Sequence, residues 1–353
     1  MKTNNRFILL MLNCCLLMNC TQEELYIPQE PEFEVQVPVN FPALPAQVDN
    51  PMTAAGIALG ERLFFDKRLS GSNEISCASC HIPSLAFTDG STLSTKGISG
   101  KPLLRHIPAI MNLAWADNGL FWDGGSTNLE SQAFAPLGHE DEMYQDLEEL
   151  EKELSEDATY TDLFQQAFGG EIQVNRVMMA LAQFQRSLIS SESTYDHMVR
   201  EEPGGSFSSL AWEGYMLFEE KCAQCHVPDL FTDHDYHNNG LDATFNDFSE
   251  DELYLGRYRV TRDPEDIGKY KTPTLRNVAI TAPYMHDGRF NSLKEVLNFY
   301  ANGVQDSETL DPILKQNNRL GIDLSEAEKQ ALIAFLNTLT DETFINDERF
   351  AEY

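Results

Sequence analysis

The feature that most constrains this chain is the motif Cys-x-x-Cys-His, which occurs twice, at residues 77–81 and at residues 222–226. In such a motif the two thiols add to the vinyl groups of a haem, and the adjacent imidazole becomes an axial ligand of the iron. One turn of backbone presents all three groups to the same porphyrin face. The sequence therefore predicts two covalent c-type haems. The predicted attachment residues and proximal iron ligands are Cys77, Cys80, His81, Cys222, Cys225 and His226.

The cysteines outside the two motifs all lie in an N-terminal targeting segment. Of the seven cysteines in the chain, three precede residue 21. An apolar run over residues 7–18 follows Lys2 and Arg6, and it is too short to span a bilayer but suits a signal sequence. Residues 17–20 resemble a bacterial lipobox, with cleavage before Cys20 and lipid on its sulfur. The alternative is a secretory signal that is cleaved elsewhere.

This segment predicts that the mature protein is exported. We expect residues 1–19 to be a lipoprotein signal peptide and residues 20–51, which are rich in Pro and Glu, to be an extended tether. The protein would then lie in the periplasm or cell envelope, attached to a membrane only through lipid on Cys20. No later stretch of the sequence approaches the length of a transmembrane helix.

The net charge of the chain restricts its partners. At −31 it would repel a phosphate backbone, which excludes nucleic acid as a partner. The same charge would favour a basic protein partner, although solubility alone is an equally good explanation.

The spacing of apolar residues after residue 52 predicts helices, and few runs alternate with the period of a strand. We therefore predict an all-α protein with an N-terminal domain over 52–205 and a C-terminal domain over 206–353, joined at a Pro-Gly-Gly-Ser linker. One helix is expected over about 174–190. Two more should begin at the capping boxes Ser292–Glu295 and Ser325–Glu328. An acidic helix is predicted from the stripe Tyr144, Leu147, Leu150 and Leu154.

Several further motifs occur in a fixed order around the two haem motifs. They include Phe-Trp-Asp-Gly at 121–124, Leu-Glu-Ser-Gln at 129–132, Glu-Met at 142–143 and Ala-Pro-Tyr-Met-His-Asp-Gly at 282–288. In these motifs the chain resembles the bacterial di-haem cytochrome c peroxidases and their relative MauG, the methylamine-utilisation enzyme. The resemblance extends over nearly all of residues 52–340.

This resemblance implies two cytochrome c-like domains and a role for each haem. The first haem would be peroxidatic, and the second would transfer electrons. Glu142 matches the distal glutamate that moves a proton between the peroxide oxygens. Gln132 matches a hydrogen-bonding glutamine of the same pocket. Trp122 matches a tryptophan that lies between the haems.

The sequence departs from the peroxidases in the loop after the first haem motif. Many relatives close the first iron with a histidine there, but this chain has Ile98 at that position and no histidine between His81 and His106. We therefore expect the first iron to be open in the oxidised protein. His106 and His139 are the two residues that could close it instead.

The sixth ligand of the second haem is open to two assignments. The position of the peroxidases' methionine holds Tyr300, as in MauG, and Met285 is the alternative. Tyrosinate would lower the haem potential, whereas a thioether would raise it. The resemblance also implies one calcium ion, bound by the backbone carbonyls of Thr281 and Pro283. His106 replaces an asparagine ligand of that ion, and imidazole suits calcium poorly.

The sequence thus predicts a peroxidase that reduces hydrogen peroxide to water. The electrons would come from a small donor protein such as a cytochrome c or a cupredoxin. The first alternative is a MauG-like oxidase that modifies a side chain of a partner protein, and the second is a di-haem electron carrier without catalysis. Relatives are often dimers, so a homodimer is also an expectation.

Overall fold

The computed structural model describes residues 33–246, 254–316 and 318–350. These residues form a helical protein, which confirms the all-α prediction in its coarse form. The predicted signal peptide and the lipid site at Cys20 lie outside the described residues. The helices are α1 (Ala54–Phe65), α2 (Cys77–Cys80), α3 (Leu129–Gln132), α4 (Phe134–Gly138), α5 (Leu147–Ser155), α6 (Ala158–Phe168), α7 (Val174–Ser187), α8 (Thr194–Val199), α9 (Ser209–Lys221), α10 (Tyr258–Thr261), α11 (Leu293–Asn302), α12 (Glu326–Asn337) and α13 (Glu342–Ile345).

The strands in the described part of the chain are short and form two antiparallel pairs. Strand β1 (Tyr236–His237) pairs with β2 (Tyr270–Lys271), and β3 (Lys315–Gln316) pairs with β4 (Arg319–Leu320). Each pair joins two loop segments of the second half, so the strands hold loops in place and do not form an extended sheet.

Side-chain caps determine where several helices begin. Helices α11 and α12 start at the predicted capping boxes, in which Ser292 and Ser325 each bond reciprocally with a glutamate three residues later, so both predictions are confirmed. The apolar stripe predicted for α5 was wrong in including Tyr144, which lies before the helix. The carboxylate of Asp146 accepts from the backbone N–H groups of Glu148 and Glu149, so the helix begins after it.

Each half contains a close helix crossing that is made possible by a glycine. In the first half, α1 crosses α7, and a β-carbon at Gly60 would overlap the carbonyl oxygen of Ala180. In the second half, α9 crosses α12, and a β-carbon at Gly214 would overlap the carbonyl oxygen of Ala331. In both halves a Cys-x-x-Cys-His motif follows the glycine helix, so the structural repeat is larger than the motif itself.

The two largest hydrophobic cores of the described residues do not follow the predicted boundary between residues 205 and 206. Tyr195, on α8, is buried in the second core, whereas Phe344 and Phe350 near the end of the chain are buried in the first. Packing therefore crosses that boundary in both directions, and the division into domains 52–205 and 206–353 stays a prediction.

The segment before α1 is irregular but packs on the body of the protein. Phe41 is buried against Trp115, whose indole N–H donates to the carbonyl of Pro42 at 2.9 Å. Beneath Phe41, Arg276 forms a fully buried ion pair with Asp196, with both N–O distances 2.8 Å. Among the helices of the described residues, none is both long and apolar enough to cross a membrane.

Candidate functional site

One large cavity joins the two halves and contains both Cys-x-x-Cys-His motifs in its lining. Its volume is about 1720 Å³, beyond the ~300–1,000 Å³ of a pocket for a single small ligand. We call the part around His81 the first site and the part around His226 the second site. Among the cavity-lining residues are the other side chains singled out in the sequence: Trp122, Gln132, Glu142, Thr281, Pro283, Met285 and Tyr300.

The two predicted proximal histidines are held in the same way. Nδ1 of His81 lies 2.7 Å from the carbonyl oxygen of Phe87, and Nδ1 of His226 lies 3.2 Å from that of Phe231. Both phenylalanines have a left-handed backbone, with φ of 63° and 55°, which turns each carbonyl toward the ring. With Nδ1 occupied by this bond, Nε2 is the nitrogen available to a metal.

The donor set fits two covalently attached haems. Burial lowers the pKa of both His81 and His226, so each imidazole is neutral, as a metal ligand must be. Burial also raises the pKa of Cys77 and of Cys222 to about 12, so both are neutral thiols that can add to a vinyl group. Phe87 and Phe231 were not singled out in the sequence, although each follows its motif closely, by six and five residues.

The distal side of the first site is built from α3, α4 and the loop that follows them. Gln132 is the last residue of α3, and the loop carries Glu142 back over the cavity. The loop is tied down by Met143 N–H to Pro136 O at 3.0 Å and by Ile98 N–H to Glu142 O at 2.8 Å. A β-carbon at Gly97 would overlap the Asp141 carbonyl, so this loop is also closely covered.

The surroundings of Glu142 disfavour its charge. Burial raises the pKa of this carboxyl, while the positive potential of His139 opposes the rise and the like charge of Asp141 adds to it. Nδ1 of His139 lies 3.9 Å from Oε1 of Glu142. A carboxyl with a raised pKa at the wall of a cavity is suited to exchange a proton with a ligand there.

The two histidines that could close the first iron differ in their surroundings. Nδ1 of His106 lies 2.9 Å from the carbonyl oxygen of Ser91, and its Nε2 lies 3.5 Å from the hydroxyl of Thr88. Nδ1 of His139 lies 3.2 Å from the backbone nitrogen of Asp141, and the His139 side chain is 53% exposed. An open first iron stays a prediction, which the contacts of His106 favour, whereas His139 lines the cavity.

Trp122 links the two halves of the cavity wall. Its indole N–H donates to the carbonyl of His106 at 2.8 Å, and its own carbonyl accepts the N–H of Lys271 on β2 at 2.8 Å. The neighbouring Asp123 is fully buried and binds Arg105 and Arg259, each at 2.8 Å. Burial opposes the charge of Asp123, but the two guanidiniums outweigh it and hold its pKa below the usual range. These arginines were not singled out in the sequence.

The second site places both candidate axial side chains beside one amide. Nδ2 of Asn239 lies 3.5 Å from the sulfur of Met285 and 3.5 Å from the hydroxyl oxygen of Tyr300. Burial raises the pKa of Tyr300 to about 12, although the Asn239 amide opposes the rise. No sequence pattern pointed to Asn239, because it lies 46 and 61 positions from these two residues.

The predicted calcium ligands lie at the cavity between the two halves of the protein. Thr281 and Pro283 both line the cavity between the halves. The ring of His106, which replaces the family's asparagine, is turned toward Ser91 and Thr88 by the contacts described above. Calcium at Thr281 and Pro283 therefore stays a prediction.

Comparison with known proteins gives a consistent set of relatives. The family model described as di-haem cytochrome c peroxidase matches residues 54–204. The methylamine utilization protein MauG of Methylorubrum extorquens is 38% identical over 304 residues, which is 85% of this chain and 82% of that protein. The cytochrome-c peroxidase IdrP1 of a Pseudomonas species is 34% identical in an alignment over 338 residues that covers 87% of this chain and 87% of that protein.

Solved structures agree with these relatives. A MauG-like protein associated with microbial copper homeostasis superposes with a TM-score of 0.80 and 33% identity, covering 91% of this chain and 99% of that one. Identity at this level over most of both chains is found among sequence relatives and solved structures alike. The chain therefore belongs to the family of di-haem cytochrome c peroxidases and MauG proteins.

Proposed function

We propose that the protein is an oxidoreductase that reduces hydrogen peroxide to water with electrons from a small redox protein. The reaction balances as one peroxide, two electrons and two protons giving two waters. The observation that carries the proposal is that Glu142 and Gln132 line the same cavity as the proximal residue His81. Membership of a di-haem family implies two haems, and the family contains peroxidases.

The chain's own residues would control the proton. When bound, the haems supply an iron that accepts peroxide and two centres that store oxidising equivalents. Glu142 would accept the proton from the inner peroxide oxygen and return it to the outer oxygen, which leaves as water. Gln132 would hold the peroxide by a hydrogen bond. Trp122 would provide an aromatic contact between the two sites.

The replacement Glu142→Gln tests this role. It keeps the size of the side chain but removes the base, so we expect peroxide turnover to fall by about 10²–10⁴-fold. Haem content and the visible spectrum should stay unchanged. Glu148→Gln is the matched control, because Glu148 is an exposed carboxylate on α5 and is not among the residues that line the cavity. Equal turnover in the two variants would overturn the assignment of Glu142.

A second candidate function is the oxidation of a side chain on a partner protein. The presence of Tyr300 at the second site and the 38% identity to a MauG protein favour it. The two functions separate when the protein is mixed with peroxide and a reduced cytochrome c. Rapid donor oxidation supports the peroxidase, whereas a long-lived oxidised spectrum with negligible turnover supports the oxidase. If peroxide causes no spectral change, the function that remains is that of a di-haem electron carrier without catalysis.

Four finer proposals accompany this function. We propose one haem in each of the regions 52–205 and 206–353, and one calcium ion at Thr281 and Pro283. We also propose a periplasmic or cell-envelope location with lipid attached to Cys20. The donor would be a cytochrome c or a cupredoxin. Protein mass after export, with and without an Ala substitution at Cys20, tests the lipid directly.

A further inference from the structure

The loop that presents Asn239 to the second site is held rigidly. Its neighbour Asn238 is buried, and the Asn238 side chain donates to the hydroxyls of Ser307 and Thr309 at 3.1 and 2.8 Å. The carbonyl of Asn238 accepts the N–H of Asp311 at 3.0 Å. The Asn239 amide is therefore a fixed donor rather than a mobile surface group.

Tyr300 is also held in a fixed position. It lies on α11, and its carbonyl accepts the N–H of Ile322 at 2.7 Å. A β-carbon at Gly321 would overlap that carbonyl, and Gly321 has a left-handed φ of 80° that favours glycine. The ring of Phe299 packs beside the phenol with centroids 5.2 Å apart. The hydroxyl of Tyr300 thus reaches the cavity from a rigid helix.

Met285 reaches the same point from a loop with an unusual backbone. Its φ of 75° is left-handed, a conformation that costs energy in a residue with a β-carbon. Residues in such strained conformations cluster at active sites and ligand-binding sites. The thioether side chain is unbranched and adapts to different positions. Its sulfur lies as close to the Asn239 amide as the Tyr300 oxygen does.

We propose that Tyr300 and Met285 exchange as axial side chains of the second haem, and that the Asn239 amide sets the balance between them. This inference rests on the second haem of the proposed function. An anionic tyrosinate stabilises ferric iron, whereas a thioether favours the ferrous state. On one-electron reduction by the donor protein, Tyr300 would leave the iron and its oxygen would take one proton from solvent, and the sulfur lone pair of Met285 would take its place. Oxidation reverses each step.

Asn239 acts on the two side chains unequally. A hydrogen bond to an ionised oxygen is about twice as strong as one between neutral groups, and a thioether sulfur is a weak acceptor. The Asn239 donor therefore stabilises bound tyrosinate more than bound methionine. Its removal should shift the ferric protein toward Met285.

The test compares ligation in the haem-loaded full-length protein, in both oxidation states, by near-infrared and magnetic circular dichroism spectroscopy. We expect tyrosinate signals in the ferric wild type and methionine ligation after reduction with dithionite. In Asn239→Leu, the ferric ratio of methionine to tyrosinate ligation should rise about ten-fold, which corresponds to the loss of one charge-assisted hydrogen bond. Asn302→Leu, at the exposed end of α11, is the control and should leave the ratio unchanged.

Met285→Leu keeps the proposal falsifiable if the Asn239 variant folds poorly. We expect it to retain the ferric tyrosinate signal and to lose the sixth ligand only after reduction. The same side chain on the iron in both oxidation states of the wild type would overturn the exchange. Peroxide turnover is measured in parallel. Exchange without turnover would overturn the peroxidase alone, whereas a single haem per chain would overturn both proposals.

Discussion

At the scale of single residues, the carboxyl of Glu142 carries a pH prediction. Glu142 must be deprotonated to accept a proton from peroxide, and burial raises its pKa. We therefore expect kcat/KM for peroxide to fall on the acid side at a pH above the ordinary glutamate value of ~4.3. The pH profile of the wild-type enzyme measures this limb directly.

Two neighbouring variants should move that limb in opposite directions. The like charge of Asp141 raises the pKa of Glu142 and the positive potential of His139 lowers it. Asp141→Asn should therefore move the acid limb down, and His139→Gln should move it up. A limb that stays in place in both variants would mean that another group controls it.

The buried ion pair between Arg276 and Asp196 carries a stability prediction. Both side chains are fully buried, so Arg276→Met leaves a buried carboxylate without its partner. We expect a loss of about 3–5 kcal/mol in the free energy of unfolding, measured with denaturant. The exposed ion pair of Arg349, whose side chain is 78% exposed, provides the control, and Arg349→Ala should cost about 0–1 kcal/mol.

The same pair predicts how stability depends on pH. Burial opposes the charge of Asp196, but Arg276 outweighs it and lowers the pKa of the carboxyl. A lowered folded-state pKa gives stability that is present above the unfolded value of ~3.9 and is lost as the pH falls through the folded value. The wild type should thus lose more stability than Arg276→Met below about pH 4. An equal loss in both proteins would contradict this account.

At the scale of elements, the two glycine crossings predict a matched pair of effects. An alanine at Gly60 or at Gly214 would overlap a carbonyl of the facing helix, α7 or α12. Each substitution should destabilise the protein by about 1–3 kcal/mol through overpacking. Gly138→Ala is the control, because its β-carbon meets open space. Thermal unfolding of the three variants tests the crossings, and equal midpoints would contradict them.

The sequence predicted elements best where the signal was local. The capping boxes at Ser292 and Ser325 join residues three positions apart, and both helices begin there. The start of α5 was missed because Tyr144 fitted the apolar period, while the competing cap at Asp146 was overlooked. Local hydrogen bonding at a helix end outweighed side-chain periodicity in this case.

At the scale of the whole molecule, aromatic residues near both ends of the described chain pack on the body of the protein, and the sequence did not predict these contacts. Phe344 and Phe350 pack against Phe87, whose carbonyl contacts Nδ1 of the predicted proximal residue His81. Near the other end of the described chain, Phe41 covers the buried Arg276. Isolated aromatic residues near chain ends have no period to predict their partners. The motifs thus predicted both haem sites, but the contacts that support the predicted ligands join positions far apart in sequence.

The charge of the whole molecule gives a prediction about the donor. Aspartate and glutamate number 56 against 25 lysines and arginines, a difference of 31. This potential should attract a basic donor, so its kcat/KM should fall by about ten-fold or more as ionic strength rises past 0.1 M, where the screening length is ~10 Å. Hydrogen peroxide is uncharged, so kcat/KM for peroxide on the same protein should stay constant and serves as the internal control. A donor rate that is equally insensitive to salt would show that the acidic surface serves solubility and does not steer the donor.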